Sequence, residues 1–245
     1  MRAWGITDVG LRRSENQDCF AIEEEIAEGM LLAVVCDGMG GASAGSLAST
    51  IAVEAFVEDL KGALRPGMDR EQLRETCRAA VAAANTAVYL RACEDPALSG
   101  MGTTLVSALL CGSEVTICNV GDSRAYRLTD STIERVTRDH SVVENMVRHG
   151  DITPEQARVH PSRNLITRAL GPEDRVECDV YELTLAAGER LLLCSDGLVV
   201  TATDADILRM AASREDGKET LQMLMAFALA HGAPDNVTLV LAENL

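Results

Sequence analysis

Met30-Leu31-Leu32-Ala33-Val34-Val35-Cys36-Asp37-Gly38 is an apolar run that ends in Asp-Gly, and Leu191-Leu192-Leu193-Cys194-Ser195-Asp196-Gly197 repeats the pattern. Each reads as a buried strand that delivers one carboxylate to its C-terminal rim. Val115-Thr116-Ile117-Cys118-Asn119-Val120 runs in the same way into Gly121-Asp122, and a fourth acid, Asp235, stands just before Val237-Thr238-Leu239-Val240-Leu241. Any single Asp-Gly pair can simply close a hairpin. Four acids at strand ends are a different matter. Gathered in one pocket they would repel and raise one another's pKa, so the arrangement makes physical sense around hard divalent cations with oxygen ligands.

The chain has 245 residues and no Pro-, Gly- or Ser-rich linker, so a single domain over residues 1–245 is expected. Its hydrophobic fraction is 47% with only 3% aromatic residues, which implies a core filled by Ala, Val, Leu and Ile. The formal charge of −16 argues against nucleic acid or an anionic membrane as partner and favours cations. Met1-Arg2-Ala3-Trp4-Gly5 does not resemble a signal segment and no apolar run approaches membrane-spanning length, which points to a cytoplasmic protein. The eight cysteines form no C-x-x-C pair and read as small buried hydrophobes in a reducing compartment, while the four histidines lack zinc-ligand spacing.

Strands are expected at residues 4–8, 18–22, 30–36, 104–110, 115–120, 123–128, 132–136, 176–183, 190–195 and 236–241. Helices are expected at 45–60 and 69–92, where Leu73, Cys77, Val81, Ala84 and Val88 share one face, and at 141–148, 154–158, 204–212 and 219–230. Strands this close in sequence must pair antiparallel. Runs of them separated by helix pairs predict an α+β fold with strands inside and helices outside.

The loop Gly38-Met39-Gly40-Gly41-Ala42-Ser43-Ala44-Gly45-Ser46 sits where phosphate-binding loops occur. It fails as a P-loop because Ser46 stands where a lysine must reach the phosphates, and as a dinucleotide fingerprint because Ser43 replaces the third glycine. Asp37 would also repel a bound pyrophosphate.

Read together with Arg13-Ser14-Glu15-Asn16-Gln17-Asp18, these acids make the chain resemble the metal-dependent protein phosphatase 2C (PPM) family in its compact bacterial form. Asp37-Gly38-Met39-Gly40-Gly41, Gly102-Thr103-Thr104, Asn119-Val120-Gly121-Asp122-Ser123-Arg124, Asp139-His140-Ser141, Leu165-Ile166-Thr167-Arg168-Ala169-Leu170-Gly171, Ser195-Asp196-Gly197 and Asp235-Asn236 follow in family order. The resemblance covers nearly the whole chain and implies a central antiparallel β-sandwich flanked by pairs of helices. It further implies two Mn2+ or Mg2+ ions per chain. Asp37 bridges them, the backbone carbonyl of Gly38 serves one, Asp196 and Asp235 serve the other, and Asp18 acts through water. A third ion shared by Asp122 and Asp196 is implied for bacterial members, against the alternative that Asp122 only caps the turn into Ser123 and Arg124. Arg13 matches the family's phosphate-binding arginine, since a planar guanidinium can hold two phosphate oxygens. Arg12 reads as a solvated surface charge.

The implied reaction is hydrolysis of phosphoserine or phosphothreonine in proteins by water activated at the metals, opposing a bacterial serine/threonine kinase in a monomeric enzyme. Met39 stands where eukaryotic members carry a histidine thought to act as general acid, and methionine has no proton to give. His140 fits a helix-capping place better than catalysis. A catalytically dead phosphoprotein-binding regulator and a small-molecule phosphatase are the competing readings. The segment 141–162, polar with few apolar anchors, resembles the family's flap beside the active site, and an inert helical excursion is its alternative.

Overall fold

The computed structural model describes residues 1–41, 44–212 and 216–244. Strand β3 (Met30–Met39) explains why an antiparallel fold contains a continuous apolar run. Successive side chains of a strand face opposite sides, and both sides of β3 are covered. Leu31, Ala33 and Val35 pack between two sheets, while Leu32, Val34 and Cys36 pack beneath two helices.

One sheet has the order β2 (Asp18–Ala27), β3, β5 (Leu105–Cys111), β6 (Glu114–Val120), β9 (Asp179–Thr184), with the short β4 (Gly102–Thr103) paired to the end of β3. The other has the order β1 (Arg2–Asp8), β11 (Val237–Glu243), β10 (Arg190–Cys194), β7 (Arg124–Leu128), β8 (Ile133–Arg135). All the pairings are antiparallel. Between the sheets lies a layer of small and branched residues such as Ala33, Val106, Ile117, Leu193 and Val240. On the outer face of the first sheet, α1 (Ala44–Ala63) and α2 (Arg70–Glu94) bury Ala48, Ala52, Phe56, Cys77, Val81 and Val88. Asp69 caps α2, with a capping box closed by Gln72. On the outer face of the second sheet, α6 (Asp204–Ala212) and α7 (Gly217–Ala230) bury Ile207, Met210, Leu221 and Leu224. The four layers are the expected α+β sandwich. No helix among the described residues is long and apolar enough to cross a membrane.

Several boundaries move. Strand β3 continues through Gly38 and Met39 because β4 pairs with them, so Asp37 lies within a strand and not past its end. Strand β2 runs to Ala27 through an irregular register near Glu23, and β9 starts at Asp179 rather than 176. The predicted strand 190–195 ends at Cys194, and Asp196 opens an unpredicted helix, α5 (Asp196–Thr201). The segment 141–162 folds as α3 (Val142–His149) and α4 (Pro154–Arg158). Of the loop after Gly38, residues 42 and 43 lie outside the described residues.

Candidate metal centre

Three segments carry the acids to one end of the sandwich. In the first, Asp18 and Asp37 are direct partners across β2 and β3. Like charges directly opposite on neighbouring strands repel. The second is the turn after β6, which presents Asp122. The third is the β10–β11 pair, adjacent antiparallel strands that bring Asp196, just past the end of β10, beside Asp235, just before the start of β11, with Ser195 N–H donating to Thr238 O at 3.0 Å. Ser195 also bridges the sheets, because its Oγ donates to Asp18 Oδ2 at 2.8 Å and accepts from Thr238 N at 2.9 Å.

Asp37 is the hub. Its carboxyl lies close enough to Asp18 and Asp196 to feel the charge of both. It also feels the charges of Asp122 and Asp235. Burial above all, then the charge of Asp18 and Asp196, holds the Asp37 carboxyl well above the usual carboxylate range. Burial, then Asp122 and Asp235, does the same to Asp196. Asp18 is pushed to about 6 chiefly by burial, and Asp122 to about 6 by burial and then Asp139. Deep burial without a compensating cation is costly for a carboxylate.

Two oxygens decide whether the group fits metal ions. Asp18 Oδ1 and Asp196 Oδ1 are fully buried and have no hydrogen-bond partner. Buried polar atoms are ordinarily satisfied, so orphaned carboxylate oxygens within a group of acids fit a cation. Among the described residues no three or more His, Cys, Asp or Glu side chains already form a closed ion cage. The carboxyls instead crowd one another around Asp37, and Asp235 is turned toward Arg13. Magnesium and manganese keep several waters and need few direct carboxylates, so a loose acid cluster suits them.

Arg13 Nη2 donates to Asp235 Oδ2 at 2.7 Å, and its side chain is 53% exposed. It stands at the rim, near enough to feel Asp37 and Asp196, with guanidinium edge left for a ligand. Arg12 is exposed, as expected. The backbones of Gly38 and Gly45 press together, since a Cβ on Gly38 would stand 2.0 Å from Gly45 O; a side chain there would displace the strand beneath Asp37. His140 caps no helix. Ser141 is the N-cap of α3, its Oγ accepting from Glu144 N–H at 3.2 Å, and the His140 ring turns inward to Gly121.

Residues without an assigned role in the sequence hold this frame. Asn236 donates to Val9 O and Glu15 O at 2.9 and 3.0 Å and accepts from Gln17 N–H at 2.8 Å, tying the loop that bears Arg13 to Asp235. Thr104 Oγ1 accepts from Asp37 N–H at 3.0 Å and meets Ser123 Oγ at 2.7 Å, linking the Asp37 strand to the Asp122 turn. Their motifs, Asp235-Asn236 and Gly102-Thr103-Thr104, were the only signal. Their partners are too remote in sequence to be inferred. An open cleft of about 630 Å3 runs from Asp122 and Asp196 to Val143, Glu144 and Val147 of α3 and Ala157 and Arg158 of α4.

The family model of protein phosphatase 2C matches residues 12–240. The chain belongs to the protein phosphatase 2C family. It is 35% identical over 238 residues to the serine/threonine phosphatase stp of Listeria welshimeri, covering 97% of this chain and 94% of that protein. A crystal structure of a bacterial serine phosphatase superposes with a TM-score of 0.93 at 36% identity, covering 100% of this chain and 98% of the other. The catalytic domain of the serine threonine protein phosphatase PstP in complex with two manganese ions superposes with a TM-score of 0.85 at 35% identity, covering 99% and 97%. This phosphatase 2C is accordingly a divalent-metal-dependent protein-serine/threonine phosphatase, and the reading as a catalytically dead regulator is not favoured.

The raised carboxyls set a pH dependence. Asp18 and Asp122 take up protons near pH 6 when folded but only near the ordinary value of about 4 when unfolded, so the native state holds the extra protons between those limits. Without a cation, their contribution to stability declines as pH rises through that window. In chelator at pH 7, Asp37→Asn should therefore melt higher than the unsubstituted protein, by roughly 2–4 °C for each kcal/mol of repulsion removed. With excess Mn2+ the order should invert, because only the native centre gains binding energy. Calorimetry showing Asp37→Asn less stable in chelator would contradict the like-charge account.

Proposed function

We propose that Asp37, the backbone carbonyl of Gly38, Asp196 and Asp235 would hold two divalent ions, manganese or magnesium, with Asp18 acting through water. The observation that carries this reading is the Asp37 carboxyl close to Asp18 and Asp196 together, beside orphaned oxygens on both. Asp122, which acts strongly on Asp196, would share a third and weaker ion with it. Bound there, the ions supply an activated water for direct attack on phosphorus and offset charge on the phosphoryl oxygens.

The remaining work falls to side chains. Arg13 clamps the phosphate at the rim, with Asp235 fixing its direction. The flanking cysteines offer no nucleophile. Cys36 and Cys194 are fully buried, their thiols pushed up by burial, Cys194 to about 12, so neither supplies a thiolate at neutral pH. Met39 has no proton to donate, which leaves the leaving group to water. The substrates are phosphorylated proteins, made by a serine/threonine kinase that this monomeric, cytoplasmic enzyme opposes. The flap over the shared cleft selects among them.

Hydrolysis of a phosphothreonine peptide should require Mn2+ or Mg2+, stop in excess chelator and survive thiol alkylation; full activity in chelator would refute the reading. Arg13→Ala should raise KM several-fold with kcat nearly intact, because a phosphate clamp binds ground and transition states alike. An unchanged KM with a collapsed kcat would place Arg13 on the transition state instead.

The flap yields its own test. Arg148 and His149 are exposed and stand outside the cleft lining, whereas Val147 and Arg158 line it. Arg158 also reaches the carbonyls of Val199 and Ala202 at 3.3 and 3.4 Å, fastening α4 to the end of α5. Val147→Ala and Arg158→Ala should change kcat/KM on phosphoproteins more than on a small aryl phosphate, which is too short to reach the flap. Equal changes on both would mark it as an inert excursion.

A further inference from the structure

The turn that presents Asp122 is braced from two sides. Gly121 has φ +103°, a conformation L side chains rarely adopt, and a Cβ there would lie 2.5 Å from Thr104 Cγ2. On one side Ser123 Oγ meets Thr104 Oγ1, which accepts from Asp37 N–H. On the other side a single residue grips both ends of Gly121. His140 N–H donates to Gly121 O at 2.9 Å, and Gly121 N–H donates to His140 Nδ1 at 3.1 Å.

That second bond fixes the ring. Because Gly121 supplies the hydrogen, Nδ1 must carry a lone pair and the ring proton must sit on Nε2. Nε2 lies 3.2 Å from Asp179 Oδ2, which accepts that proton, while Arg168 Nη1 donates to Asp179 Oδ1 at 2.8 Å and holds the carboxylate still. Thr167 N–H donates to His140 O at 2.7 Å, and the His140 side chain is only 7% exposed.

We propose that His140 is a positioning residue for the metal centre: its Nδ1 holds the Gly121 peptide, and through it turns the Asp122 carboxylate toward Asp37 and Asp196. The inference rests on the reading of Asp122 and Asp196 as ligands. A carboxylate, a histidine and a peptide in series orient Asp122 as outer partners orient ligands in metal sites generally. The plain alternative is a core histidine that only satisfies a buried amide.

Substitution separates the two, because the amide oxygen of Asn can occupy the place of Nδ1 while Gln extends past it toward Asp179. Mn2+ binding is titrated calorimetrically on the unsubstituted protein first, then on His140→Asn, His140→Gln and His140→Ala, with melting temperatures in chelator alongside. Ala and Gln should weaken Mn2+ binding at the weaker site that Asp122 would share with Asp196 about 10- to 100-fold and Asn by only about threefold, out of step with their melting temperatures. Asn no better than Gln, or Ala binding Mn2+ like the unsubstituted protein, overturns the positioning role and leaves the metal reading standing. An unsubstituted protein that takes up no Mn2+ removes the metal reading itself. Should His140→Ala fail to fold, Asp179→Ala, at a half-exposed site, should still weaken Mn2+ binding. Nitrogen-15 NMR of the intact protein should show the Nε2–H tautomer, with the signal assigned through His140→Asn; a protonated Nδ1 would overturn the inference.

Discussion

Five carboxylates share the end of one β-sandwich, and their mutual repulsion under burial is the constraint on which the remaining structure depends. Asp18 and Asp37 face each other across adjacent strands, Asp122 and Asp196 approach from two more segments, and burial raises all four. Left to itself such a group would spread or recruit a partner cation. Among the described residues, Asp235 alone of the five has one, in Arg13. The cluster is therefore a stored preference for divalent ions, maintained by the surrounding fold.

The fold maintains it through rigid supports. Strand β3 is apolar on both faces and packed on both, one row against the second sheet and the other beneath α1 and α2, which holds Asp37 in place. Hydrogen bonds then couple the acids to one another by way of neutral groups: Ser195 between Asp18 and Thr238, Thr104 and Ser123 between Asp37 and the Asp122 turn, and Asn236 between Asp235 and the Arg13 loop. Each support crosses from one strand pair to another. The positions of the acids are thus properties of the packed sandwich.

Much of this was legible in the sequence. The apolar runs of β3, β6 and β11 were long enough to announce strands, and the acid at one end of each, Asp37, Asp122 and Asp235, stood out. What escaped was whatever depends on distant pairing. Strand β3 extends past Asp37 only because Gly38 and Met39 meet Thr103 and Gly102. Helix α5 was missed because β-branched Val199, Val200 and Thr201 give a weak helical signal and no element was expected there, whereas packing of Leu198 in the core beneath α6 and α7 decides the matter. His140 was read by its neighbourhood in the chain as a cap. Its partners, Gly121 and Asp179, lie on other elements, and no local pattern points to them.

The most direct test of the central claim is a crystal structure grown with Mn2+, with anomalous scattering collected at the manganese edge. The account predicts two strong peaks about 3.5–4 Å apart on either side of the Asp37 carboxylate, the spacing usual in two-metal hydrolases, one of them also touching Asp196 and Asp235. Peaks that leave Asp37 untouched, or no manganese near the five carboxylates in saturating Mn2+, would contradict it.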